Sequence, residues 1–288
     1  MDKESYIVAD RDKSPAKDLI SYYESTCGYD KCVLDPSDAL DRVREGSLVI
    51  VVDTHSTANV ESPALLSRAG KVVVIDHHRM MVNYIRDSAL FIQESYASSA
   101  SELVTELAGY INEKAIRKPE ADALLSGIML DTKNFVLRTG TRTFEASAYL
   151  RRRGADTVEA KQYLSGGLDT CILRSRLIAD AFIKRGCAFS CASEQTAETR
   201  IAAAQAADEL LSIRGVDASF VLFPDGNGVN ISARSLGKLN VQLVMEQLGG
   251  GGHLTMAGAQ LTNISMEQTL DKIYDALDNV KKNRASDE

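Results

Sequence analysis

Two short runs of β-branched and aliphatic residues dominate the pattern of the chain: Leu48-Val49-Ile50-Val51-Val52 and Val72-Val73-Val74-Ile75. Runs that are apolar throughout suit strands covered on both faces of a parallel sheet. Each ends on aspartate followed within two residues by histidine, Asp53-Thr54-His55 in the first and Asp76-His77-His78 in the second. The segment 62–69 between them has helical spacing and is closed by Gly70. Upstream, 6–9 is a short apolar strand. Ser14-Pro15 with Leu19, Tyr22 and Tyr23 marks a helix, and Pro36-Ser37 opens another that runs to about Arg44 and stops at Gly46. This alternation predicts a doubly wound parallel sheet.

Downstream, 90–94 reads as a strand. Ser98-Ser99-Ala100-Ser101-Glu102 before Leu103, Val104 and Leu107 has the form of a helix N-terminus. Hydroxyls and free N–H groups there can hold a phosphate, and they serve equally well as a plain cap. The apolar helix 120–130 ends on Asp131-Thr132-Lys133-Asn134-Phe135. A polar stretch, Arg138 to Thr143, then leads into a helix over 144–153. An aspartate in the last turn of a helix opposes the dipole, which favours a cation partner for Asp131.

From 156 to 183 the spacing is helical, broken at Ser165-Gly166-Gly167. Beyond Gly186 strands are expected at 188–192, 218–223, 229–233 and 257–261, with helices at 200–212, 241–248 and 266–280. The turn Asp225-Gly226-Asn227-Gly228 makes a hairpin of the second and third strands. The expected organisation is an α/β parallel-sheet domain over 1–155, a helical linker over 156–185 and a smaller α/β domain over 186–288.

Composition narrows the function. Hydrophobic residues are 44% and charged residues 25% of 288, average for a globular protein, and the net charge of −7 argues against polymeric nucleic acid as a partner. Cys27, Cys32, Cys171, Cys187 and Cys191 lack CxxC spacing, so reduced thiols are expected rather than a zinc or disulfide framework. No run reaches the ~20 apolar residues of a membrane span. The expectation is a soluble, cytoplasmic module whose basic end, Lys281-Lys282-Asn283-Arg284, is frayed.

Three of the four histidines, His55, His77 and His78, lie within 24 positions, beside Asp53 and Asp76 at strand ends. Carboxylates and imidazoles without thiolates suit Mn²⁺ or a similar six-coordinate ion. Two such ions bridged by a carboxylate would generate a hydroxide and clamp a phosphorus centre. The second element is Gly249-Gly250-Gly251-Gly252-His253, whose open backbone could approach a phosphate or a base edge, with Arg234-Ser235 upstream.

These blocks resemble the DHH/DHHA1 phosphoesterase superfamily, which includes family II pyrophosphatases, single-strand exonucleases, oligoribonucleases and cyclic-dinucleotide phosphodiesterases. VVDTH, VVIDHHR, YASSASELVTEL, GIMLDTKNF, LRTGTRTFEAS and ISARSLGKLNVQ…GGGGHLTMAGAQL together are similar to the catalytic module of GdpP-type cyclic di-AMP phosphodiesterases.

The resemblance implies a DHH domain joined by helices to a DHHA1 domain, and hydrolysis of cyclic di-AMP to linear pApA. Asp53 would bridge two manganese ions, and His77 and Asp131 would be terminal ligands of one. His78 would lie against the scissile phosphate, with His55 behind it or on the substrate side. Arg234, Ser235, Asn240, Gly250, Gly251, Gly252 and His253 would bind the nucleotide, alongside Ser98 and Ser99. Homodimers are the family tendency, and the full-length proteins are membrane-anchored.

One departure stands out. The family's opening strand ends in His-x-x-x-Asp-x-Asp, which this sequence lacks; Asp10 and Asp12 match the second strand instead. The expectation is a sheet short of one strand, one manganese rather than two, and impaired activity. The alternatives are a non-catalytic cyclic-dinucleotide-binding module and a nuclease of short linear oligonucleotides.

Overall fold

The computed structural model describes residues 4–286 except 12, 13, 15, 27–31 and 197. Pro15, Asp12 and Cys27 therefore lie outside the described residues. The chain divides into two compact units, Met1–Ser165 and Gly166–Glu288.

The first unit contains β1 (Ile7–Val8), α1 (Lys17–Thr26), β2 (Val33–Leu34), α2 (Pro36–Arg42), β3 (Leu48–Val52), α3 (Pro63–Arg68), β4 (Lys71–Asp76) and β5 (Leu90–Gln93). Four helices follow: α4 (Ala100–Ile111), α5 (Lys118–Asp131), α6 (Thr141–Arg152) and α7 (Thr157–Tyr163). β3, β4 and β5 form a parallel sheet in that order, while β1 and β2 make a separate parallel pair. The register pairs Val52 with Ile75 and Asp76 with Gln93, so Asp53 and the Asp76-His77-His78 turn leave the same carboxyl edge on neighbouring strands.

Coverage of this sheet is uneven. Val49 and Val51 pack under α2 and α3 with Ala39, Leu65 and Val72, and the opposite face of β4 packs under α4 through Ile75, Ala97 and Leu103. On β3 that opposite face is bare: Leu48, Ile50 and Val52 are 54%, 54% and 50% exposed. The apolar run predicted a strand covered on both faces. It forms the strand, but β3 is a sheet edge and α4 lies over β4 and beyond.

The second unit contains α8 (Leu168–Ala179), β6 (Phe182–Lys184), β7 (Cys187–Cys191), α9 (Thr199–Leu210), β8 (Ala218–Asp225) and β9 (Gly228–Ser235). It ends with α10 (Val241–Glu246), β10 (Gly251–Gly252), β11 (Met256–Thr262) and α11 (Met266–Ser286). The six strands run in the order β10-β11-β9-β8-β7-β6, and only β7 with β8 is parallel.

Phe189, Phe220, Leu222 and Ile231 pack on one face with Val244, Met245, Ile273 and Leu277 of α10 and α11. On the other face Ala188, Val221 and Phe223 meet Leu177 and the alanines of α9 at 202, 203, 206 and 207, whose small side chains let the helix sit close to the sheet. The β8–β9 hairpin turns at Gly226-Asn227 with Gly226 at φ 59°, as a two-residue turn with glycine in first place requires.

Two elements depart from expectation. The helical pattern to 183 ends earlier, because Phe182–Lys184 turns back through Arg185 and Gly186, both left-handed, and pairs with β7 as an edge strand. The segment 156–185 divides at Ser165, α7 packing on α5 and α8 on α9. α11 continues through the stretch expected to be frayed, as far as Ser286. Among the described residues no helix is long and apolar enough to cross a membrane.

Candidate metal centre

The site begins with Asp76, the last residue of β4 and fully buried. A buried carboxylate needs donors on both oxygens. Oδ1 accepts the backbone N–H groups of His77 (2.8 Å) and His78 (3.1 Å) and the His78 Nδ1–H (2.8 Å), and Oδ2 accepts from His55 Nδ1. Burial pushes the Asp76 carboxyl up, but the bonds from His78 and His55 more than reverse this and hold it well below the usual carboxylate range. The His78 imidazole is raised by its bond to Asp76, against the opposing pull of burial, with the charges of Asp53 and Asp131 adding to the rise.

His55 sits behind this layer and is 1% exposed. Its Nε2 accepts the Met81 N–H at 2.9 Å, so its Nδ1 carries the proton donated to Asp76. Its carbonyl also accepts the Ile85 N–H at 2.8 Å, which ties the loop after the histidine pair to the end of β3.

His77 is held differently. Its Nδ1 faces the Ala97 carbonyl at 3.4 Å, and a carbonyl can only accept, so Nδ1 is the protonated nitrogen. The lone pair of Nε2 then faces Asp53 Oδ1 at 3.3 Å and Asp131 Oδ2 at 3.7 Å. An imidazole oriented through its far nitrogen by a backbone carbonyl, with its lone pair among carboxylate oxygens, is a set of acceptors suited to a cation. One ligand atom each from Asp53, His77 and His78 lie within 4.8 Å of one another. The donors therefore fit a hard or borderline divalent ion, and the oxygen and imidazole chemistry suits manganese.

Backbone strain supports the same point. Asp53 has φ 63°, left-handed for a non-glycine residue, with its N–H tied to Ile75 O at 3.0 Å. After Asp131, Lys133, Asn134 and Phe135 are left-handed in succession, at φ 50°, 57° and 65°. Left-handed L-residues cost on the order of 1–2 kcal/mol each, and strain of this kind collects at functional sites. Burial raises the Asp131 carboxyl, and the charge of Asp53 raises it further. A cation between the two would relieve that.

The other expected residues are placed plainly. Ser99 caps α4 by accepting the Glu102 N–H at 3.0 Å, and Ser98 donates its hydroxyl to Glu102 at 2.5 Å; both serines are buried and serve the cap. Asp10 donates its N–H to Glu61 at 2.8 Å.

In the second unit Arg234 is 9% exposed, with Nε on Asp208 at 3.1 Å. Ser235 donates to Leu239 O at 2.6 Å, and Asn240 caps α10. Gly250 and Gly252 are required by close packing: a Cβ would meet Gly258 O at 2.2 Å or Met256 O at 2.4 Å. The N–H groups of Gly249, Gly250 and His253 are spent on Glu246, Met245 and Met256. The glycines thus let β10 lie against β11, a reason that an open phosphate cradle does not need. Asn240, Leu243 and Leu254 line a cleft of about 900 Å³ within this unit, beside Arg185, Asp217 and Lys238.

Sequence reasoning did not anticipate that Ala97 orients His77; a backbone carbonyl twenty positions away leaves no signal.

Residues 3–128 match the DHH family N-terminal domain and residues 187–283 the DHHA1 domain. The chain belongs to the DHH/DHHA1 superfamily. It is 44% identical over 283 residues to the cyclic-di-AMP phosphodiesterase PdeA of Listeria monocytogenes, covering 96% of this chain and 43% of that protein. The chain thus spans less than half the length of this relative. An exopolyphosphatase-related protein from Bacteroides fragilis superposes with TM-score 0.76 at 21% identity, over 90% of this chain and 80% of that one. RecJ of Thermus thermophilus, in complex with Mn²⁺, superposes with TM-score 0.52 at 14% identity, over 95% of this chain and 51% of that one. The two structures share the fold with this chain.

Proposed function

We propose that this chain is a manganese-dependent phosphodiesterase module that cleaves a 3′–5′ bond of cyclic di-AMP to give linear pApA. The observation that carries it is the His77 lone pair set between Asp53 and Asp131 beside His78. Asp53, His77 and Asp131 would hold one ion, which when bound supplies charge for the phosphate oxygens and an acidified water. His78, whose imidazole is raised by its bond to Asp76, would face the scissile phosphate and offer a hydrogen bond to the charge that grows there.

Arg234, Ser235, Asn240, Gly250, Gly251, Gly252 and His253 are proposed for the nucleotide. Arg234 and Asn240 reach it only by sharing or exchanging their present partners.

Incubation with cyclic di-AMP and Mn²⁺ should yield pApA, and His77→Ala or Asp131→Ala should abolish it. Turnover that survives either substitution overturns the assigned site. Faster turnover of pApA than of the cyclic substrate would favour a nuclease of short linear oligonucleotides. Tight binding without product would favour a non-catalytic module.

A further inference from the structure

We infer that Thr132 is the positioning residue for Asp131, through the left-handed turn it organises; this rests on Asp131 being a metal ligand. Thr132 is fully buried at the C-cap of α5. Its N–H and Oγ1–H both reach Ile128 O, at 3.0 and 2.7 Å, and lock the last turn of the helix in which Asp131 sits. Its carbonyl accepts the N–H groups of Val136 and Leu137, both at 2.8 Å.

Between these ends the chain passes through three left-handed residues, and each N–H has an acceptor. Lys133 donates to Leu130 O at 3.3 Å, Asn134 to Met129 O at 2.8 Å, and Phe135 to Thr132 Oγ1 at 2.9 Å. Phe135 alone relies on a side chain. The Phe135 ring then anchors the far end of the turn, packing on the cluster around Leu125 and Ile128 and stacking on Phe144 at 5.7 Å.

The Thr132 hydroxyl is therefore the side-chain link between the helix end and the strained turn, beside the backbone bonds from Lys133 and Asn134. Asp131 lies between the Ile128 carbonyl and that turn, its carboxylate 3.7 Å from His77 Nε2. Exchanging the hydroxyl for a methyl of similar volume strands the Phe135 N–H and removes one of the two bonds that fix the helix end. Second-layer groups of this kind set the affinity of a metal site because they fix where a ligand points.

The test is a double-substitution cycle read by Mn²⁺ affinity, measured from the electron paramagnetic resonance of free Mn²⁺ with no substrate present. Thr132→Val should weaken Mn²⁺ binding by about ten-fold or more, as loss of outer-layer partners does, and Thr132→Ser should stay within about three-fold of the parent. In an Asp131→Ala background, where there is no carboxylate left to position, Thr132→Val should change affinity by less than about two-fold.

Parent-like affinity in Thr132→Val, or equal losses in both backgrounds, overturns the inference. If Asp131→Ala alone leaves Mn²⁺ affinity unchanged, the ligand assignment itself has failed. Should the valine variant not fold, Phe135→Leu loosens the other anchor with the hydroxyl intact. It should weaken Mn²⁺ in the parent and not in Asp131→Ala, and parent-like affinity there also overturns the inference.

Discussion

In β8 of the second unit all six residues from Ala218 to Phe223 are buried, whereas in β3 of the first unit Leu48, Ile50 and Val52 are each at least half exposed. Both strands read as apolar runs. The difference lies in what surrounds them. β8 is an inner strand of a six-stranded sheet, with α8 and α9 on one face and α10 and α11 on the other. β3 edges a three-stranded parallel sheet and is covered on one face alone. The unit with the larger apolar core carries the glycine–histidine loop. The unit with the barer sheet carries the proposed metal ligands and much of the left-handed backbone, so its order depends more on polar bonds around Asp76 and Thr132.

The largest test sets one device against the other. Asp76→Ala leaves His55 and His78 without their buried acceptor, and should cost roughly 3–5 kcal/mol. Phe220→Ala removes a fully buried ring stacked on Phe189 at 5.3 Å and should cost a similar 3–5 kcal/mol. Segment-resolved hydrogen exchange should show Asp76→Ala lowering protection in 48–131 and Phe220→Ala in 187–277. Loss of protection throughout from Asp76→Ala would break the contrast between the two units.

Much of this was readable in advance where an element declares itself by a run or a period. β3 begins and ends where its apolar run does, and β4 extends its run by one residue at each end. The Gly226-Asn227 turn identified the β8–β9 hairpin. β2 was missed because two residues, Val33 and Leu34, have no period. β6 was missed because Phe182 and Ile183 continue the helical spacing of α8 until Arg185 and Gly186 reverse the chain.

Within the site, Asp53, His77 and Asp131 were nameable because their residue types and their positions at strand ends or, for Asp131, at a helix end are written in the sequence, and the carboxylates do lie at the His77 ring. The fourfold satisfaction of Asp76 depends on backbone direction, which residue spacing does not encode, whereas the cap at Ser99 follows from its spacing to Glu102. The glycine loop was legible as a loop, but the packing of Gly250 and Gly252 against Gly258 and Met256 was not.

A smaller effect follows from ionisation in metal-free protein. Asp76 is held below its ordinary value, so its stabilisation is present above about pH 3.9 and is lost as pH falls through the depressed value. His78 is raised by Asp76, so its contribution is present below about pH 6.5 and is lost as pH rises through the raised value. Asp131, raised by burial and then by Asp53, also contributes below about pH 3.9 and loses that contribution as pH rises through its raised value.

The signs combine to put greatest stability of the first unit in mildly acidic solution. With EDTA present, its protection should fall as pH rises from 5 to 8. The shifted groups of the second unit, Cys191 and Tyr274, are raised by burial above their already alkaline values, so it should change less over that range. His78→Gln should flatten the alkaline limb. A first unit more stable at pH 8 than at pH 5 without metal would contradict these signs.

The smallest expected effect bears most directly on β3. Ile50→Thr keeps the β-branch that the strand favours and puts a hydroxyl where the side chain is 54% exposed, so stability should move by no more than about 0.5 kcal/mol. The neighbouring Val51→Thr puts the same hydroxyl into the cluster of Val72, Val74 and Ile85, at a position 6% exposed, and should cost about 1–3 kcal/mol unless the hydroxyl finds a partner. The pair reads the two faces of one strand with one functional group, so strand propensity nearly cancels between them. Equal, large losses from both would mean that the face carrying Leu48, Ile50 and Val52 is covered in solution, and the contrast with β8 would then be one of what covers each strand rather than how much.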